Sequence, residues 1–287
     1  ERNYLYQRLS GKFEEKDLLD SGLFYLSDGN QFYDTFFERI IFPLTNDKGQ
    51  VIAFSGRIWQ ETDNQTAKYK NSRSTAIFNK SYELYHLDKA KKATGKIAEL
   101  YLMEGFMDVI AAYRAGIENA VASMGTALSK EHVDHLKRFT KKIVLSYDGD
   151  KAGQAATAKA LEELNDFSVE VVRVPDAMDP DEYLQKNSPE DLAYLLTKTR
   201  ISPIEFYIHQ LKPENSDNLQ AQIEFIEKIA PLIAKEKSIT AQNSYIHILA
   251  DNLPSFDYQQ VEQIVNESRI VQRQERVKEE QPPAAIT

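Results

Sequence analysis

Leu100-Tyr101-Leu102-Met103-Glu104-Gly105-Phe106-Met107-Asp108 and, further on, Ile143-Val144-Leu145-Ser146-Tyr147-Asp148-Gly149-Asp150 share one pattern: a short apolar run that stops at a carboxylate and a glycine. A brief apolar run bounded by turn chemistry reads as a strand buried on both faces, and the periodic segment after it reads as a helix. The unit repeats between residues 97 and 200. Strands over 98–103, 119–123, 142–147 and 168–174 alternate with helices over 106–115, 130–139 and 151–165. Such alternation predicts an α/β fold with a parallel sheet between helical layers. Ligands of parallel sheets sit outside the carboxyl ends of the strands, which is where these carboxylates fall.

The residues before 97 lack that rhythm. A short helix over 14–20 and extended segments over 23–26, 36–44 and 51–59 suggest a mixed α+β N-terminal subdomain, with Asn46-Asp47-Lys48-Gly49 as a hairpin turn. After residue 200 the pattern becomes helical, over 203–211, 218–235, 239–252 and 258–276, with Ile223, Phe225, Ile226, Ile229 and Ile233 at helical spacing. That predicts a C-terminal helical bundle. The expected division is 1–96, 97–200 and 201–277, followed by a tail over 278–287 that lacks an apolar face and is expected to be disordered.

The chain has 287 residues and a formal net charge of −9. No apolar run approaches the roughly 20 residues of a membrane span, so a cytoplasmic protein is expected. Its opening Glu-Arg-Asn-Tyr has no initiator methionine, and the chain reads as an excised fragment. Cysteine is absent, which leaves oxygen and imidazole as the metal ligands. Acidity argues against a nucleic-acid partner until the distribution is considered. From Arg57 to Lys96 nine cationic residues stand against four anionic ones. Such a segment reads as a solvated surface or as a phosphate-binding stretch.

Three acidic motifs fall at successive strand ends. Glu104 and Asp108 are one helical turn apart; helix N-termini attract carboxylates, so each reads as a dipole partner or as a metal ligand. Asp148 and Asp150 flank Gly149, and Asp150 also suits an N-cap for the helix beginning at Lys151. Asp179-Pro180-Asp181-Glu182 has the form of a helix start. Together they concentrate repelling charge that a hard divalent cation would offset.

In this order, Glu-Gly, Asp-Gly-Asp and Asp-Pro-Asp on a βα framework resemble the Toprim domain of bacterial primases, topoisomerases and some nucleases. Ahead of it, Phe54-Ser55-Gly56-Arg57, Lys68-Tyr69-Lys70-Asn71-Ser72 and Phe78-Asn79-Lys80 resemble the basic motifs of the RNA polymerase (catalytic core) domain of DnaG-type bacterial DNA primases. Val121-Ala122-Ser123-Met124-Gly125-Thr126 resembles that family's segment after the second Toprim strand. The likeness runs from about residue 33 into the C-terminal helices. It implies a DNA-dependent RNA polymerase that makes short RNA primers on single-stranded DNA from ribonucleoside triphosphates, using Mg²⁺ or Mn²⁺. It implies Glu104, Asp148 and Asp150 as catalytic, metal-binding carboxylates, with Asp108, Asp179 and Asp181 as further metal ligands. Contacts to nucleotide or template would come from Arg57, Lys68, Tyr69, Asn71, Ser72, Lys80 and Arg39. The family's Cys- and His-rich zinc module is missing from this sequence, so no zinc is expected. Missing too is the C-terminal module that binds the replicative helicase, the partner implied for the longer protein.

Another Toprim enzyme, a topoisomerase or nuclease, and a non-catalytic nucleic-acid-binding protein remain alternatives. A topoisomerase needs a nucleophilic tyrosine, and neither Tyr113 nor Tyr207 stands in a setting recognisable as that site. His132 and His135 read as a solvated surface pair rather than metal ligands. Trp59, Phe54 and the aromatic stretch 32–42 read as core of the N-terminal sheet rather than as stacking platforms for bases.

Overall fold

The computed structural model describes residues 1–60 and 67–279. The chain divides into two compact units, residues 1–200 and the residues from Ile201 on.

The first unit opens with helices α1 (Tyr4–Leu9) and α2 (Glu15–Asp20) and the antiparallel strands β1 (Phe24–Leu26) and β2 (Phe32–Asp34). Neither α1 nor β2 is among the elements expected from sequence. No residue of α1 is buried and β2 spans three residues, so neither leaves a periodic trace. A second antiparallel sheet contains β3 (Arg39–Thr45), β4 (Val51–Ile58) and β5 (Tyr69–Asn71) in that order. Its hairpin forms as its turn residues predict: the Asn46 side chain accepts from the Lys48 and Gln50 amides, and Gly49 takes a φ of +83°. The aromatics of this region are not uniformly core, contrary to expectation. Trp59 is 67% exposed and Phe54 is half-buried, while the apolar cover of the sheet is centred where Leu44 and Ala53 meet Phe78, Phe106 and Met124. That cluster draws on both sides of residue 96. Residues 1–96 and 97–200 share this cluster within the first unit.

Helix α3 (Leu87–Ile97) leads into β6 (Leu100–Met103), α4 (Phe106–Arg114), β7 (Ala120–Ala122), α5 (Lys130–Leu136), β8 (Lys142–Leu145), α6 (Lys151–Glu163) and β9 (Ser168–Val172). Helices α7 (Pro180–Lys186) and α8 (Pro189–Lys198) and the short β10 (Arg200–Ile201) follow. The sheet order is β10-β9-β8-β6-β7, and β6 pairs in parallel with both β7 and β8. The chain moves from β6 outward to β7, then returns past β6 to β8. That reversal is the switch point of a doubly wound sheet, and it opens a crevice between the carboxyl ends of β6 and β8. Near the amino ends of the same strands, Arg200 bridges Glu99 (2.8 Å) and Glu170 (3.0 Å), and Lys142 joins both acids.

His132 and His135 are buried, not solvated. Helix α5 packs over the segment before α3, where His132 Nε2 meets the Glu83 carbonyl at 3.2 Å and His135 Nδ1 meets the Tyr82 carbonyl at 2.9 Å. The His135 ring stacks on Tyr82 at 3.9 Å.

From Ile201 the second unit comprises α9 (Pro203–Leu211), α10 (Leu219–Lys235), α11 (Ile239–Ala250) and α12 (Tyr258–Glu279) around Ile208, Phe225, Ile226, Ile229, Ile233 and Leu249. Lys278 and Glu279, expected in the tail, belong to α12. The remainder of that tail, 280–287, lies outside the described residues.

Candidate active site

Glu104 is the first residue past β6, and Gly105 caps α4 with its backbone extended. Asp108, at the third helical position, turns back to accept the Gly105 amide at 2.9 Å. This is the dipole-partner geometry, and it buries Asp108 to 5% exposure at the floor of the crevice. Glu104 Oε1 accepts the Asp148 amide at 3.2 Å, which ties the end of β6 to the end of β8.

Asp148 and Asp179 are brought together by a backbone clasp. The Gly149 amide donates to the Met178 carbonyl at 2.9 Å, and a Cβ at Gly149 would fall inside the Val174 carbonyl oxygen. Only glycine permits that approach. The turn that reaches Met178 holds Asp176 and Ala177 at φ of +56° and +55°, a left-handed conformation that costs non-glycine residues of order 1 kcal/mol each. Asp179 then caps α7. Carboxylate oxygens of Asp108, Asp148 and Asp179 all lie within 4.8 Å of one another.

These groups line one cavity of about 670 Å³ together with Glu104, Asp181 and Glu182. The same cavity is lined by Arg57, Lys68, Tyr69, Asn71 and Lys80. Arg57 donates to the Tyr69 hydroxyl at 3.2 Å and sits over the Tyr69 ring, which is tilted against Phe106. Asn71 is committed as a strut: it accepts from Ser55 Oγ at 2.5 Å and donates to the Met124 carbonyl at 3.1 Å.

Three residues expected at the site are absent from the cavity lining. Asp150 is exposed and its Oδ1 accepts the Gly153 amide at 2.7 Å, so it caps α6. Ser72 is buried and its hydroxyl accepts the Phe54 amide at 3.0 Å. Arg39 donates to the Gly56, Ala67 and Lys68 carbonyls and clamps the basic strands from behind. The cavity adds Gln185, which sequence reasoning missed; it donates to Asp181 Oδ2 at 3.0 Å, one helical turn away, a spacing that was the available signal.

Burial raises these carboxylates out of their ordinary range, and like-charge crowding adds to it. Burial pushes Asp148 up to about 7, with Glu104 and Asp179 adding like-charge repulsion. Burial is also the main cause for Glu104, Asp108 and Asp181, all raised. The donor set fits a hard divalent cation. Octahedral Mg²⁺ with bonds of about 2.0–2.1 Å places adjacent oxygens about 2.9 Å apart, so oxygens now up to 4.8 Å apart would close by up to about 2 Å around it. A cation there would reverse the repulsion and keep all three ionised.

Residues 1–91 match the family described as DNA primase catalytic core, N-terminal domain, and residues 101–184 match the family described as Toprim-like. The DNA primase of Lactococcus lactis subsp. lactis (strain IL1403) is 54% identical over 266 residues, covering 93% of this chain and 42% of that protein. That of Listeria monocytogenes serovar 1/2a (strain ATCC BAA-679 / EGD-e) is 43% identical over 80% of this chain and 37% of its own length. The chain thus spans less than half the length of these curated relatives. Among solved structures, the RNA polymerase domain of Mycobacterium tuberculosis primase DnaG has a TM-score of 0.73 at 30% identity, covering 86% of this chain and 81% of that one. A DnaG primase catalytic domain bound to ssDNA has a TM-score of 0.70 at 31% identity, covering 90% and 82%. Likeness in sequence through both halves of the first unit, and in fold over most of its length, establishes that the chain belongs to the family of DnaG-type DNA primase catalytic cores.

Proposed function

We propose that this chain synthesises short RNA primers by templated nucleotidyl transfer on single-stranded DNA. The observation that carries the proposal is that the clustered Asp108, Asp148 and Asp179 line one cavity together with Arg57, Lys68 and Lys80. Mg²⁺ or Mn²⁺ held by the three carboxylates, with Glu104 and Asp181 alongside, would supply electrophilic activation of the α-phosphate and a lowered pKa for the attacking hydroxyl. The cationic residues bind the triphosphate of the incoming ribonucleotide, and the Tyr69 hydroxyl orients Arg57 toward it. Asn71, Ser72 and Arg39 act as positioning residues that fix the basic strands. Asp150 acts the same way on the Asp148 turn, through the start of α6.

Single-stranded DNA as template is supported by the relatives' names and by the DnaG domain bound to ssDNA. Among the described residues no helix is long and apolar enough to cross a membrane, and the proposed compartment is the cytoplasm, at the replication fork. Recruitment by a replicative helicase is proposed for the longer protein. The topoisomerase, nuclease and non-catalytic readings gain no observation of their own.

The test is ribonucleotide incorporation on single-stranded DNA with Mg²⁺ or Mn²⁺. RNA product that needs metal and is lost in both Glu104→Gln and Asp148→Asn supports the proposal. Equal product from the variants and the parent chain contradicts it.

A further inference from the structure

Glu104 and Gly125 also line a second cavity, about 740 Å³, to which no residue of the basic strands contributes. Ala152 and Ala156 of α6 line it together with Ala127, Leu128, Ser123 and Tyr147. Tyr147 is only 5% exposed, and its hydroxyl has no hydrogen-bond partner of good geometry, Ser123 being beside it. A buried hydroxyl left without a partner is unfavourable unless a ligand completes it. The rim carries Lys159 together with Glu162 and Glu163, so the cavity as a whole does not favour a polyanion.

Primer synthesis needs two nucleotides at once: a donor, whose α-phosphate is attacked, and an acceptor, whose 3′-hydroxyl attacks. The first cavity has the cations a donor triphosphate requires. The second is within the range of volumes that hold small ligands, roughly 300–1,000 Å³, and offers apolar walls for a base and buried hydroxyls for a sugar. It also meets the first cavity at Glu104.

Resting on the primase reading, we infer that the second cavity is the acceptor subsite, holding the ribose and base of the nucleotide whose 3′-hydroxyl attacks beside Glu104. Ala152 and Ala156 pack against the base, and Tyr147 and Ser123 bond the sugar or the base edge. The acceptor 3′-oxygen forms a bond to the donor α-phosphorus while the bond to the bridging oxygen of the β-phosphate breaks. Pyrophosphate leaves with that electron pair, and the hydroxyl proton passes to solvent.

The two roles separate with substrates that can play only one. Guanosine monophosphate has no leaving group and is an acceptor only; 3′-deoxyadenosine triphosphate has no 3′-hydroxyl and is a donor only. On a single-stranded template complementary to GA, with Mn²⁺, the full chain should join them once. Ala156→Phe, which fills the cavity, is expected to raise the KM for the acceptor by about tenfold or more. Tyr147→Phe, which only removes a hydroxyl and should fold normally, is expected to raise it about threefold to tenfold. In both, the donor KM stays within about twofold of the parent value. A rise in donor KM, or unchanged acceptor KM in Tyr147→Phe from an active parent, overturns this assignment alone. No dinucleotide from the parent chain with these or ordinary triphosphates overturns the primase reading, and the assignment with it.

Discussion

Asp148 bears the cost of burying a carboxylate among other carboxylates. Its folded pKa of about 7 lies above the usual unfolded value of about 3.9, so the stability it contributes is fully present below pH 4 and is lost as the pH rises through 7. The metal-free protein should therefore lose about 1–2 kcal/mol across that window from this group, allowing for screening at a half-buried site. Asp148→Asn should flatten the loss, which thermal unfolding in chelator at pH 5 and pH 8 measures; an undiminished slope would show that Asp148 does not titrate in that window. For the same reason Mn²⁺ should raise Tm more at pH 8 than at pH 5. Glu104, Asp148, Asp179 and Asp181 are legible in sequence because each follows a strand beside or within two residues of glycine or proline, and Asp108 by its one-turn spacing from Glu104. Asn71, Ser72 and Arg39 are legible as polar residues of a basic motif but not as struts, because their partners lie elsewhere in the chain or on the backbone. His132 and His135 defeat the reading outright: flanking Lys130, Glu131 and Asp134 mask an inward face shared with Val133 and Leu136.

The clasp between the β8–α6 turn and the turn before α7 decides whether the acids meet. Gly149→Ala sets a methyl against the Val174 carbonyl, and backbone gives way less easily than a side chain. We expect a loss of about 1–3 kcal/mol in stability with metal affinity weakened about tenfold or more, as titration with Mn²⁺ would show. The opposite end of the sheet provides the contrast. Arg200→Ala leaves Glu99 and Glu170 without their shared guanidinium, and should cost about 2–4 kcal/mol in chemical denaturation while leaving Mn²⁺ affinity unchanged. Elements as regular as β6, β8 and α6 show themselves through apolar runs and helical spacing. Strands of three residues such as β2 and β5 are fixed by their neighbours, and nothing local announces them.

A molecule with a net charge of −9 that binds a polyanion must do so through a local excess of cations. If Arg57, Lys68 and Lys80 meet phosphates, single-stranded DNA affinity should fall steeply with salt, with a log–log slope of about −0.7 per phosphate neutralised. Lys80→Ala should make that slope shallower by about 0.7, as fluorescence anisotropy over a salt series would reveal; an identical slope would place Lys80 off the path of the strand. The boundary at residue 200 is visible in sequence as the change from mixed to purely helical periodicity. The cluster shared by the two halves of the first unit is not, because it rests on Phe106 and Met124 reaching Leu44 and Phe78. The clasp at Gly149 also sets a clock. As the chain emerges during synthesis, the basic strands appear first and Asp179 last of the three clustered acids, so Asp108 and Asp148 must wait for the Val174–Met178 turn before all three converge. Until that moment the nascent protein has nothing that demands a cation, and the charge conflict at its centre arises only once the surrounding fold is there to contain it.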